Sequence, residues 1–328
     1  MICSMQMQRL QTSLCAVLSL AALGCAETQA DPGAELGTDP TLEEASATGP
    51  LSRSEATRAP ALAGGTRTTL VEGIASAENL FITSDARLFV SGDEGVYHVA
   101  RQADGTMRAD NLLPAPDCRF GGITEARGTL FVNCYGPNDS HVYGAKLGPA
   151  LDLRRIATLK GVSLANGLTA DESGHLYVAC TGQDKIMRLT LADSDSLAIA
   201  KQEVWLAGSG TFTNGIKYAS SKLYWTDFTT IKSVVIGSNG QPGRPRDLAT
   251  RLTFLDDLFV DEQGIVVADW LGGAVRTYGL GGIEKSSTTV AINMPSAVLR
   301  AKGRVGFSQD ALLITEKGGN RVSVLEPR

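Results

Sequence analysis

A unit of roughly 40–48 residues recurs along the chain, and a recurring unit of that length restricts the fold more than any other property of the sequence. Each clear copy opens on a polar residue, passes through a short apolar run, turns, and enters a strongly β-prone segment. Asn166 opens Leu164-Ala-Asn-Gly-Leu-Thr-Ala-Asp171, ahead of Leu176-Tyr-Val-Ala179. Asn214 opens Thr213-Asn-Gly-Ile-Lys217, ahead of Leu223-Tyr-Trp-Thr226, and Asp256 opens Asp256-Asp-Leu-Phe-Val-Asp261, ahead of Ile265-Val-Val-Ala268. Glu78 holds the same place earlier, before Asn79-Leu-Phe-Ile-Thr83 and Leu88-Phe-Val90.

The intervals are 48 residues from Asn166 to Asn214 and 42 from Asn214 to Asp256, while the 88 from Glu78 to Asn166 span two units. The copy between them falls near Gly121, before Ile123-Thr124 and Leu130-Phe-Val132. A last copy begins near Ser296 and carries Ala311-Leu-Leu-Ile-Thr315. Val, Ile, Leu, Tyr and Thr fill the units, Gly, Asp and Asn punctuate them, and no helical period interrupts. The expected fold is all-β: one six-bladed β-propeller with four strands per blade. Its rival is a β-sandwich whose similar turns imitate a repeat. In a propeller the first strand of every blade borders the central channel, so residues at the strand starts converge without any local motif. An open ring would leave edges unpaired, and Arg67-Thr-Thr-Leu-Val-Glu72 is the expected strand that completes the last blade.

The sequence before the repeats reads differently. One charge, Arg9, precedes the apolar stretch Leu14-Cys-Ala-Val-Leu-Ser-Leu-Ala-Ala-Leu23, which is too short to span a membrane and has the form of a secretory leader. Ala22-Leu-Gly-Cys25 resembles a bacterial lipobox, which implies acylation of Cys25 and attachment to the cell envelope, in the periplasm or at the outer membrane. Residues 26 to about 65 are Ala, Thr, Glu, Pro, Gly and Ser with few large apolar side chains, the composition of a flexible tether. The expected division is a leader over 1–24, a tether over 25–65 and a propeller over 66–328. With Arg9 removed the formal charge goes from −5 to −6, and such mild acidity offers no basic footprint for nucleic acid. Cys118, Cys134 and Cys180 remain in the mature chain, an odd number. Cys118–Cys134, Cys134–Cys180 and three unpaired thiols are all compatible with their places in the repeat.

Glu78, Asn166, Asn214 and Asp256 together present two carboxylates and two amide oxygens. That hard, all-oxygen set suits Ca²⁺, with Mg²⁺ or Mn²⁺ as substitutes, better than zinc. Taken singly, Asn166-Gly and Asn214-Gly are also common turn dipeptides. Asp257 is a further candidate ligand, or else a solvated neighbour that makes Asp256 harder to ionise. A cation with open positions at the channel mouth can polarise a carbonyl, and a carboxylate such as Asp256 beside a bound water can act as base. Small lactones and esters are the substrates such a site suits. Asp227, Asp269 and Glu316 share one phase of the repeat and read as caps of tight turns rather than as a second carboxylate site. There is no phosphate-binding Gly loop, no serine nucleophile elbow and no zinc spacing.

On these residues the chain resembles the six-bladed, calcium-dependent gluconolactonase/regucalcin family and the related paraoxonases. Ser76-Ala-Glu78 looks like that family's first ligand motif. Phe212-Thr-Asn-Gly-Ile216 with Leu223-Tyr-Trp-Thr-Asp227 is similar to its Ser-Asn-Gly-Leu strand and the strand after it. Leu255-Asp-Asp-Leu-Phe-Val-Asp261 with Glu262-Gln-Gly264 resembles the segment carrying its ligand aspartate. The resemblance implies that Glu78, Asn214 and Asp256 bind metal and that Asn166 contacts substrate or metal. Two departures stand out. Leu164 replaces the Arg that sugar lactonases tend to place two residues before Asn166. The paired histidines of paraoxonases would fall at Gly121 and Cys134, while His98, His141 and His175 lie elsewhere, at expected surface or loop positions. Two functions follow: a calcium-dependent lactonase or esterase acting on a small molecule, or a non-catalytic, envelope-anchored binding propeller rigidified by calcium.

Overall fold

A computed structural model describes residues 62–114 and 118–328; the leader, Cys25 and the tether up to residue 61 lie outside the described residues. It consists of six four-stranded antiparallel sheets. Blade 1 is Leu80–Ile82, Leu88–Gly92, Gly95–Arg101 and Met107–Pro114, and blade 2 is Arg119–Ala126, Thr129–Tyr135, Ser140–Lys146 and Arg154–Leu159. Blade 3 is Ala165–Ala170, Leu176–Cys180, Lys185–Leu191 and Ile199–Ala207, and blade 4 is Thr213–Ala219, Lys222–Asp227, Thr230–Val235 and Arg246–Thr250. Blade 5 is Leu255–Asp261, Gly264–Asp269, Ala274–Tyr278 and Glu284–Ser287. Blade 6 is Pro295–Arg300, Leu312–Glu316 and Arg321–Glu326, with Thr66–Glu72 as its outer strand. The first strands follow one another in a closed ring, each beside the next and blade 1 beside blade 6. The six-bladed propeller is the fold expected from the repeat, and closure by the segment around Arg67–Glu72 is as expected too. Among the described residues no helix is long and apolar enough to cross a membrane.

The second strand of each blade is buried on both faces, which is why these segments read as unbroken apolar runs. Their side chains pack between blades rather than within them. Tyr177, Ile186 and Trp205 of blade 3 meet Ile216, Leu223 and Trp225 of blade 4, for example. Equivalent clusters fill each of the other junctions around the ring. Leu62, just before the closing strand, is buried in the cluster between blades 5 and 6.

One device recurs at the start of the first strand. Register is lost between Phe120 and Ile123, Ala165 and Leu168, Thr213 and Ile216, Leu255 and Leu258, and Pro295 and Ala297. A bulge of this kind leaves residues unpaired and re-aims their side chains. The bracketed residues are Gly121-Gly122, Asn166-Gly167, Asn214-Gly215, Asp256-Asp257 and Ser296, the very phase that opens each unit of the repeat. Asn166-Gly and Asn214-Gly are therefore not turns but lie inside strands. Their glycines admit the neighbouring blade: a Cβ on Gly167 would stand 2.4 Å from the Asn214 carbonyl, and one on Gly215 2.4 Å from Asp257 Cα.

Candidate functional site at the channel mouth

The polar residues of the bulges are held by the second strand of the preceding blade. Ser91 Oγ donates to the Gly121 carbonyl at 2.6 Å, and Asn133 Nδ2 donates to the Gly167 carbonyl at 3.0 Å. Thr226 Oγ1 donates to the Asp256 carbonyl, and Thr315 Oγ1 to that of Glu78 at 3.1 Å. Each tie fixes the backbone beneath a candidate side chain, so the site is built on strands rather than on free loops.

Glu78, Asn214 and Asp256 come together as buried side chains. Asn214 Nδ2 donates to Asp256 Oδ1 at 2.8 Å. Burial, followed by the charges of Glu78 and Asp257, raises the Asp256 carboxyl well above the usual carboxylate range, against the opposing pull of Lys317. Asn166 occupies the equivalent bulge of blade 3, on the first strand beside that of Asn214, with its side chain half-buried.

Asp257, one residue on, is engaged elsewhere. It is buried rather than solvated, and it accepts from Lys217 Nζ at 2.7 Å, from Asn79 Nδ2 at 2.7 Å and from its own strand's Leu258 N–H at 2.8 Å. With its oxygens taken it is a structural ion-pair partner, not a spare ligand, although its charge does make Asp256 harder to ionise. Among the described residues no three of His, Cys, Asp and Glu surround one point, so a cation here would depend on amide oxygens as well as carboxylates.

The donor set fits a hard cation on one specific observation. Asn214 Oδ1 is buried and has no hydrogen-bond partner, although the same amide's nitrogen is well satisfied. A buried orphan acceptor is costly unless something electropositive completes it. A divalent ion held by Asn214 Oδ1, Glu78 and Asp256 would do so.

Lys317, which the repeat pattern did not single out, also belongs to this site. Its Nζ pairs with Glu78 Oε2. Glu78 and Asp256 hold this ammonium in its charged form, above the ordinary lysine range, against the opposing effect of burial. The pair joins residues 239 positions apart, so only the closed ring brings it together.

The rim beside Asn214 and Asp256 is aromatic. Phe212, Phe228, Phe254 and Trp270 form a continuous row with ring centroids 5.2, 5.4 and 5.5 Å apart. Phe212 is 47% exposed, and Phe228 adopts a φ of 55°, a conformation that bulky residues rarely accept. Phe212 and Phe254 each stand two residues before a site residue, and Phe228 and Trp270 each follow the aspartate that ends a second strand. That matched phase was the available signal for them in the sequence.

The remaining candidates sort as follows. Cys118 and Cys134 are disulfide-bonded, which resolves the alternatives, and Cys180 is a free, buried thiol pushed up to about 11 by desolvation. Asp269 accepts from Gly272 N–H and so caps the turn that follows it, as expected, whereas Asp227 accepts from Phe212 N–H and Glu316 from Asn293 N–H, each tying down the loop before its blade's first strand rather than the turn after it. The histidines are half-buried rather than freely exposed. His98 and His141 lie on strands, the former against Phe89 at 5.3 Å, and His175 pairs with Asp171 at 2.9 Å. A cleft of about 430 Å³ on the flank of blades 1 and 2 is lined by Asp85, Arg87 and His98. There Asp85 is already bound by Arg87 and Thr83.

Fold and site together define a six-bladed propeller with a carboxylate–amide cluster at one mouth of its channel. No family model matches the sequence, and no curated protein matches it. Among solved structures the chain is similar to a gluconolactonase from Xanthomonas campestris, at 17% identity over 84% of this chain and 93% of that one, with a TM-score of 0.63. It is similar to regucalcin, a calcium-binding protein from Agrobacterium tumefaciens, at 14% identity over 82% and 97%, with a TM-score of 0.60. A chain of the nidogen–laminin complex is similar at 16% identity over 70% and 85%, with a TM-score of 0.56. The fold is thus the one found in gluconolactonase and regucalcin structures, and also in a protein–protein complex.

Proposed function

We propose that the protein is a calcium-dependent hydrolase of small lactones or esters, attached to the bacterial cell envelope through Cys25. The observation that carries this reading is the buried, unpartnered Asn214 Oδ1 on the amide whose nitrogen bonds the Asp256 carboxylate. Glu78, Asn214 and Asp256 would hold the ion, and Asn166 would complete its shell or position the substrate. Bound there, Ca²⁺, or Mg²⁺ or Mn²⁺ in its place, would supply Lewis-acid polarisation of the carbonyl and stabilisation of the oxyanion.

Asp256 is the base. Asn214 Nδ2 fixes its Oδ1, and Oδ2 carries no hydrogen bond among the described residues, leaving that oxygen to accept a proton from the attacking water. The water oxygen bonds to the carbonyl carbon, the carbon–alkoxide bond breaks, and the proton held by Asp256 passes to the departing alkoxide. The aromatic row favours substrates with an apolar or aryl flank, and Leu164 in place of a sugar-binding Arg points the same way. A disulfide between Cys118 and Cys134 suits the oxidising compartment that envelope attachment implies.

A binding propeller is the second reading, and the ion pair between Lys317 and Glu78 favours it, because an internal cation partly neutralises the cluster without metal. Asn214→Ala separates the two. The variant also loses the Nδ2 bond to Asp256, so it should melt somewhat below wild type yet still fold, while hydrolysis of aryl esters and lactones falls by about 10²-fold or more. Retained turnover would take the chemistry away from this cluster, and no turnover in either protein, with calcium still raising the melting temperature of the wild type, would rule for the binding reading.

A further inference from the structure

We propose that Lys317 is a tethered counter-cation that occupies the Glu78 carboxylate in the metal-free protein and is exchanged for the divalent ion when one binds. This rests on the divalent site proposed above.

The pairing is built in, not a chance meeting of two surface chains. Lys317 opens the short 3-10 turn Lys317–Gly319 at the end of the second strand of blade 6. That turn ends on Asn320, whose carbonyl accepts from the N–H groups of Gly73 at 3.0 Å and Ile74 at 3.1 Å. Asn320 Oδ1 accepts from Ser76 N–H at 2.8 Å, and Lys317 N–H donates to the Met294 carbonyl at 3.0 Å. Ser296 Oγ donates to the Ala77 carbonyl at 2.6 Å. The turn carrying Lys317 and the segment 73–78 carrying Glu78 are thus fastened to each other. The ammonium is held over the carboxylate by backbone that has no other place to go.

Charge shows why the lysine is a placeholder. Glu78 and Asp256 bring two negative charges, Asp257 being matched already by Lys217. One ammonium balances one of them, and a divalent ion balances both. Donor count agrees: the ammonium has three donors, yet Asn214 Oδ1 stays without a partner. A route out exists as well. The Lys317 side chain is 29% exposed against 6% for Glu78, and a four-carbon stem can swing the ammonium into solvent while its backbone stays fixed. Two cations cannot share these oxygens at close range, so a retained ammonium must weaken metal binding.

The test is calcium titration of the calcium-stripped mature chain by calorimetry, with melting curves in chelator and in calcium, for wild type, Lys317→Met and Lys317→Arg. The Met variant should bind calcium roughly tenfold more tightly or better, because a like charge next to the ion has gone. It should also melt below wild type in chelator and gain more from calcium. The Arg variant, which keeps the charge, should bind no more tightly than wild type. Equal or weaker calcium binding by the Met variant overturns the exchange while leaving the divalent site standing. No saturable binding in either the wild type or the Met variant overturns the divalent site itself, and the exchange with it.

Discussion

Asp256 and Asp257 share one bulge and one type of side chain, yet their surroundings give them opposite roles. Asp257 meets a lysine, an amide and a backbone N–H, so its charge is spent on joining blades 1, 4 and 5. Asp256 has Asn214 as its one close donor and faces two other carboxylates. Its folded-state pKa lies above the unfolded one, so the native state favours the protonated form. Ionised Asp256 therefore begins to cost stability as pH rises past about 4, and costs most above its folded-state value. Asp256→Asn removes that cost. In chelator at pH 7 it should raise the melting temperature above wild type, while abolishing both hydrolysis and the calcium-induced rise. A lower melting temperature in chelator would show that the carboxylate is compensated by something other than the groups named here.

At the scale of elements, the strand Thr66–Glu72 is what turns an open row of blades into a ring, and Glu316 fastens it. That buried carboxylate accepts from Arg67, Arg321, Ser323 and the Asn293 N–H. Burial alone would push it up, but Arg321, Ser323, Asn293 and Arg67 outweigh burial and hold it below the usual range. A depressed folded-state value gives stability that is fully present above the unfolded pKa, near 4, and is lost as pH falls through the folded one. Glu316→Gln should thus cost about 3 kcal/mol at pH 7, with the gap to wild type closing as unfolding is followed into acid. A gap that stays constant down to pH 3 would contradict the assignment. Sequence reasoning placed Glu316 in phase with Asp227 and Asp269 as the cap of a tight turn, but its side chain makes no capping bond to the turn Lys317–Gly319 and serves the closing strand instead. Arg321 faces Glu316 across the neighbouring strand pair, but Arg67 was not legible, because it is 249 residues away and arrives only on closure.

For the whole molecule, the repeat made both the architecture and the phase of the site readable. Glu78, Gly121, Asn166, Asn214, Asp256 and Ser296 mark the openings of six units in the sequence and the ring of bulges or strand starts in the structure. The sequence also carries the ties between blades: Ser91, Asn133, Thr226 and Thr315 each stand three residues after a Leu that is first or second in a second strand. What the pattern could not show is whatever depends on the ring's radius. Lys317 reaching Glu78 and Lys217 reaching Asp257 are contacts across blades, and neither residue sits in the phase that marks ligands. Choosing the cysteine pair likewise needed the Cα–Cα distance of 5.7 Å between Cys118 and Cys134. The central claim is that the channel mouth performs cation-dependent ester chemistry. It is tested most directly by following hydrolysis of a panel of lactones and aryl esters by the mature chain, first in calcium, then in chelator, then with calcium restored. Turnover should vanish on chelation and return with calcium, and it should be strongest for substrates with an apolar or aryl flank. Absence of turnover across the panel, with calcium still raising the melting temperature, would contradict it and leave a metal-stabilised binding propeller.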